Sequence, residues 1–191
     1  MNRIALALSA FALSAPLAMA QTSTWNVDAA HSGVDFTVKH MSLSNVRGHF
    51  GGLKGSITFN EADITKSSVS VTIDTTTVDT GMSMRDNDLK GANYFDVAKF
   101  PTATFTSTSV SGAGGHLTVN GNLTLHGITH PVTLDVEGPA GPVPGMDKKQ
   151  HAGYSATATL KRKDFGIGAN TPDTMVSDDI KLTLDLDVAK Q

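Results

Sequence analysis

Apolar residues recur at every second position in short runs along most of this chain. Val34, Phe36 and Val38 alternate with Asp35, Thr37 and Lys39, and Ile57 and Phe59 alternate with Ser56, Thr58 and Asn60. The same period returns in Val69–Ile73, Ala103–Phe105, Leu117–Leu125, Val132–Val136, Tyr154–Leu160 and Ile180–Val188. Successive side chains of a strand point to opposite faces, so each run has one apolar and one polar face. Roughly eight such runs, with no long helical pattern between them, specify an all-β antiparallel sheet with one wet side.

Two architectures satisfy this pattern: a sandwich, or one sheet closed into a barrel. The final run, Ile180–Val188, would be an adhesive edge if left open, and closure removes edges. An eight-stranded barrel has an interior that side chains just fill, or that holds one small ligand. Ala156 and Ala158 are small inward residues that leave room, which favours the barrel. Among the connections, Asn60–Asp63 suits a polar turn, Ser111–Gly115 a flexible hairpin loop, and Gly138–Pro144 a stiff loop.

The first twenty residues have the layout of a secretory signal peptide. Arg3 precedes an apolar stretch, Ile4–Leu17, and Ala18-Met19-Ala20 forms a small–x–small site before Gln21. The stretch is short for a bilayer span of ~20 residues. Residues 21–191 are then expected as one exported domain, with a bacterial periplasm the best-fitting compartment. The sequence contains no cysteine, which excludes disulfides, thiolate metal sites and a Cys nucleophile. The formal net charge is −3, with both signs interspersed. The basic cluster Lys161-Arg162-Lys163 is too small to suggest nucleic acid.

The longest break in the alternation is Thr80–Phe105. Ser83-x-x-Asp86 resembles a capping box with Asp in place of Glu or Gln. Met84–Lys90 suits a short helix, and Gly91 suits a left-handed C-cap. A short helical insertion is therefore expected near residues 82–97. It reads as a lid or side wall, with Arg85 and Asp86 fixing its position and Phe95 and Phe100 facing the interior.

Six motifs in order resemble the YceI-like family. They are Trp25-x-Val27-Asp28-x-x-His31-Ser32-x-Val34-x-Phe36-x-Val38-Lys39-His40-Met41, Val46-x-Gly48-x-Phe50, Thr80-Gly81-x-x-x-Arg85-Asp86-x-x-Leu89, Phe95-Asp96-Val97-x-Lys99-Phe100-Pro101, Gly121-x-Leu123-Thr124-Leu125-His126-Gly127-Ile128-Thr129 and Lys161-Arg162-Lys163-Asp164-Phe165-Gly166-Ile167. The resemblance implies a lipocalin-like, curved β-barrel around an elongated apolar tunnel. It implies binding of a long amphiphile such as a polyprenyl phosphate, an isoprenoid quinone or a fatty-acid derivative. It further implies a periplasmic location, a homodimer in some members, and no general catalytic activity.

The residues expected to line such a tunnel are Val34, Phe36, Val38, Ile57, Phe59, Val71, Phe95, Phe100, Phe105, Leu123, Leu134, Leu160, Phe165 and Leu182. Candidates for the lipid head group are His31, His40, Arg85 and Arg162, since guanidinium suits phosphate or carboxylate. Arg162 and Asp164 are two apart and would share a strand face. Against the head-group role stands an ion-pair network in which Arg85, Asp86, Arg162 and Asp164 pin the helical segment to the last hairpin. Trp25 reads as a barrel plug. The spacing of the seven histidines suggests no metal site. No G-x-S-x-G elbow is present, and Asp178-Asp179 would point to opposite faces, so neither catalysis nor a cofactor beyond a bound lipid is expected. The competing readings are an envelope stress-protective protein or enzyme acting on a quinone or lipid, and a solidly packed interaction module.

Overall fold

The computed structural model describes residues 22–191, so the leader read from residues 1–20 lies outside the described residues. The strands are β1 (Thr22–Val27), β2 (Gly33–His40), β3 (Ser44–Phe50), β4 (Lys54–Asn60), β5 (Ser68–Asp74), β6 (Thr102–Ala113), β7 (His116–Leu125), β8 (Ile128–Pro144), β9 (Gln150–Lys161) and β10 (Val176–Lys190). The helix α1 spans Ser83–Lys90. All pairings are antiparallel, in the order β1-β4-β5-β6-β7-β8-β9-β10-β2-β3, and β1 also pairs with β10. This closes an eight-stranded barrel.

Ten strands make an eight-stranded barrel because two of its staves are broken. β1 and β2 lie along the same edge of β10: Val27 opposes Val188, and Gly33 opposes Asp185. β4 follows β1 as β3 follows β2, with Asn26 opposite Ser56 and Val34 opposite Phe50. The alternation exposes β2 and β4 but hides β1 and β3. In β3 the inward period is Val46, Gly48, Phe50, and glycine erases the signal. Gly48 is required there, because a Cβ would stand 2.2 Å from the Phe36 ring. Gly121 does the same for Phe105, at 2.4 Å.

β10 is the spine of the barrel. It pairs with β9 along one edge and with β2 and β1 along the other, so the run that would have been adhesive has no free edge. β8 departs from expectation. The segment Gly138–Pro144 continues the strand rather than forming a loop. Its register against β9 shifts between Glu137 and Ala140 and between Ala140 and Val143, so Pro139 and Pro142 fall where the ladder skips and no N–H is needed. The Ser111–Gly115 loop is also tighter than expected. β6 runs to Ala113, and Gly114 and Gly115, with φ of 65° and 84°, make a two-residue turn.

The buried side chains project into the barrel interior. The main core includes Val34, Phe36, Phe50, Leu53, Phe95, Phe105, Leu123, Leu160 and Phe165. Trp25, Ile57, Ala152, Tyr154 and Val188 form a second cluster at the β1 end. The Trp25 indole donates to Ser23 Oγ at 2.9 Å, so its one polar atom is satisfied inside the plug.

Between β5 and β6 the chain leaves the sheet and builds α1. Ser83 is the first residue of the helix; Met82 occupies the cap position and makes no side-chain cap bond. The expected capping box is absent because Asp86 turns back to Thr80 instead, accepting from its N–H at 2.8 Å and from its hydroxyl. Gly91 ends the helix in extended geometry (φ −73°), not as a left-handed cap. The return to β6 is wound tightly, with Phe95 N–H donating to Leu89 O at 2.9 Å and Val97 N–H to Lys90 O at 3.1 Å.

Candidate functional site

Two apolar cavities lie inside the barrel, with volumes of about 90 Å³ and about 110 Å³. Val34, Ile57, Phe59, Val71, Phe105, Leu123 and Leu134 line the first. Phe36, Val38, Phe95, Leu160 and Phe165 line the second. Leu182 lines both, so the two volumes adjoin across its side chain. Phe100 lines neither; its ring stands edge-on to His126 at 4.9 Å between centroids.

The interior is not packed solid. Leu182, Leu184 and Leu186 project from a strand paired on both edges, yet each is only half-buried, because the space before them is open. A single water needs roughly 10–15 Å³ of such space, so each cavity exceeds that several times. Both are smaller than the ~300 Å³ of an ordinary ligand pocket, so a long chain is accommodated only when side chains between them move. Tyr154 lines the first cavity, and burial pushes its phenol up to about 12.

Phe50, Leu89 and Ile167 were not anticipated in the lining, and each escaped for a physical reason. Phe50 sits on the strand whose period is broken by Gly48. Its ring bridges Phe36 at 5.5 Å and Phe95 at 5.1 Å. Leu89 comes from a helix with no buried residue and no apolar face strong enough to announce itself. Ile167 follows the 3-10 turn Arg162–Phe165, where strand period does not apply.

The four head-group candidates fall in different places. His40 and Arg85 come together in a recess of about 250 Å³, with Thr80 and Asp88. Five of its lining residues, Phe36, Val38, Leu89, Tyr94 and Val176, also line the inner 110 Å³ cavity, so these side chains form the partition between polar recess and apolar interior. Arg85 donates from Nε to Thr80 Oγ1 at 2.7 Å and from Nη2 to Thr80 O at 2.9 Å. Its Nη1 makes no hydrogen bond among the described residues and is available to a ligand.

Arg162 is placed differently. It is 4% exposed, and its guanidinium donates to the carbonyls of Ser177, Ile167, Gly168, Thr171 and Val176 and to Asp173 Oδ1. Every N–H is spent on binding the 166–177 segment. The inference that Arg162 and Asp164 share a strand face fails, because residues 162–165 form a 3-10 turn. The helical segment is pinned to this region by Gly168 N–H donating to Asn93 O at 2.8 Å, not by the expected ion-pair network, since Asp86 turns to Thr80 and Arg162 pairs with Asp173. His31 lies at the far end of the barrel. Its partner region near Asp187 is about 35 Å along β10 from Val176, at ~3.3 Å per residue.

Residues 25–188 match the YceI-like domain. The chain belongs to the YceI-like family. Protein YceI of Salmonella newport is 39% identical over 167 residues, covering 87% of this chain and 86% of the relative. A UPF0312 protein of Pseudomonas paraeruginosa is 39% identical over 167 residues, covering 85% of each. Among solved structures, Burkholderia cenocepacia BcnA superposes with a TM-score of 0.74 at 26% identity, covering 84% of this chain and 98% of that one. A polyisoprenoid-binding domain from Saccharophagus degradans, implicated in plant cell wall breakdown, superposes at 0.64 with 18% identity, covering 87% and 98%; at that identity the likeness is one of fold. Among the described residues, no helix of this YceI-like chain is long and apolar enough to cross a membrane.

Proposed function

We propose that this YceI-like protein sequesters or ferries a long-chain amphiphile, with a polyisoprenoid such as a polyprenyl phosphate or isoprenoid quinone as the leading candidate. The observation that carries the reading is the pair of apolar cavities adjoining across Leu182. Each methylene moved from water contributes ~0.8 kcal/mol, so a polyprenyl tail repays the cost of displacing a few side chains. The head lodges in the outer recess at His40 and Arg85, and the tail passes the Leu89–Tyr94 partition. Met41, Leu43, Met82 and Met84 are exposed around this end, which suits the entry of an apolar chain. The naming of the Saccharophagus domain as polyisoprenoid-binding supports the same ligand class.

The protein acts in the periplasm, after removal of residues 1–20. This reading is of a carrier rather than an enzyme. The ionisable groups lining the two cavities are Arg162, whose donors are spent, and the phenols of Tyr94 and Tyr154, which do not converge.

The test is mass spectrometry of lipid extracted from protein purified out of the envelope, followed by titration of delipidated protein with labelled polyprenyl phosphate and ubiquinone. A co-purified isoprenoid and saturable binding are expected. An empty extract together with no binding of either lipid defeats the proposal.

A further inference from the structure

The barrel end remote from α1 gathers a second set of functional groups. Five residues, 28–32, stand between the pairs Val27–Val188 and Gly33–Asp185, where β10 has only Leu186 and Asp187. The surplus folds into a bulge gripped around Asp187. Asp28 N–H donates to Asp187 O at 2.8 Å, and Asp187 N–H donates to Ser32 Oγ at 3.0 Å. Within the bulge, Asp28 Oδ1 accepts from Ala30 N–H at 2.9 Å. These bonds direct three side chains to one point: the ligating atoms of Asp28, His31 and Asp187 all lie within 4.8 Å of one another.

We propose that Asp28, His31 and Asp187 form a binding site for a divalent transition-metal ion, independent of the lipid cavity. One imidazole and two carboxylates, with no thiolate in the chain, suit zinc or a neighbouring borderline cation better than magnesium or calcium. Zinc bonds of ~2.0–2.2 Å bring tetrahedral donors to about 3.4 Å apart. His31, with 71% of its side chain exposed, pairs through Nδ1 with Asp28 Oδ2 at 2.9 Å, and the ion takes the place of the proton shared there. Asp187 is already oriented from behind. His151 Nδ1 lies 2.7 Å from its Oδ1, and His151 Nε2 lies 3.2 Å from Asp147. Carboxylates that ligate metals are themselves held by outer hydrogen bonds, and His151 supplies one to Asp187. An open recess of about 510 Å³ beside His31 and Asp187 gives the ion access.

The experiment is calorimetric titration of tag-free, chelator-stripped protein with Zn2+, run on delipidated and lipid-loaded samples alike. One zinc per chain is expected in both, with no response to Mg2+. His31→Ala and Asp28→Asn abolish that site, His151→Ala weakens it by about tenfold or more, and His116→Gln leaves it unchanged. NMR of the wild type provides a reading free of any folding defect: the His31 ring resonances shift at the first equivalent of zinc, before those of His40 or His116. Failure of the wild type to take up zinc, equal uptake by His31→Ala, or a first shift at another histidine overturns the proposal. Lipid binding in the absence of metal leaves the carrier reading standing.

Discussion

Among the described residues, Leu182 is the one side chain that lines both cavities, and its neighbours in the barrel line one volume or the other. Leu182→Ala should therefore join them. As a half-buried residue it should cost about 1–3 kcal/mol, toward the low end for leucine truncation, while raising the amount of long-chain lipid retained. Thermal unfolding and lipid extraction measure the two effects, and a loss of both stability and lipid would sink the interpretation. Tyr154 offers a second test. Its phenol is raised to about 12 by burial, above the unfolded value near 10. The unfolded chain releases that proton first, so the associated stability is intact below about pH 10 and is lost as pH rises toward 12. In a Tyr94→Phe background, where Tyr154 is the sole tyrosine, absorbance titration should show ionisation well above pH 10; a transition near 10 would mean that water reaches the ring. Inward residues of this kind were legible from alternation alone, because burial on one face is what alternation encodes. Arg162 was not, since its role depends on five carbonyls, three from a non-repetitive loop and two from the start of β10.

At the scale of elements, α1 is the part held least by packing. It contributes no buried residue, and its attachments are Asp86 and Arg85 on Thr80. Thr80 in turn follows Asp79, which makes paired backbone bonds with His49 of β3 at 2.8 and 3.0 Å. The Thr80 hydroxyl, aided by its N–H, holds the Asp86 carboxyl below its usual range. A lowered acid contributes stability above its unfolded value and loses it as pH falls through the folded one, so acidification loosens this clamp. Asp86→Asn should accelerate amide hydrogen exchange across residues 83–97 while β9 and β10 remain protected. Unchanged exchange would show that Phe95 and the backbone bonds to Leu89 and Lys90 suffice. The existence and position of this helix were readable from its polar run and from Gly91. Its caps were not, because Asp86 had two partners available and tertiary structure chose Thr80.

For the whole molecule, the number of staves was readable and the breaks in them were not. An interruption at 28–32 or 51–53 looks like an ordinary turn until both halves are seen against β10 and its neighbours. The same breaks bring Asp187 beside His31, far away in sequence, where no local pattern could foretell it. They also determine how the barrel closes. β3 ends the sheet order, and its outer edge meets the rest of the wall through the single bridge His49–Asp79. On that side residues 75–101 replace a laddered strand, so the wall there is closed by side chains and a few turns. Parting it breaks no run of interstrand bonds. Opening this window therefore calls only for a local loop motion, while the remaining seams keep their ladders.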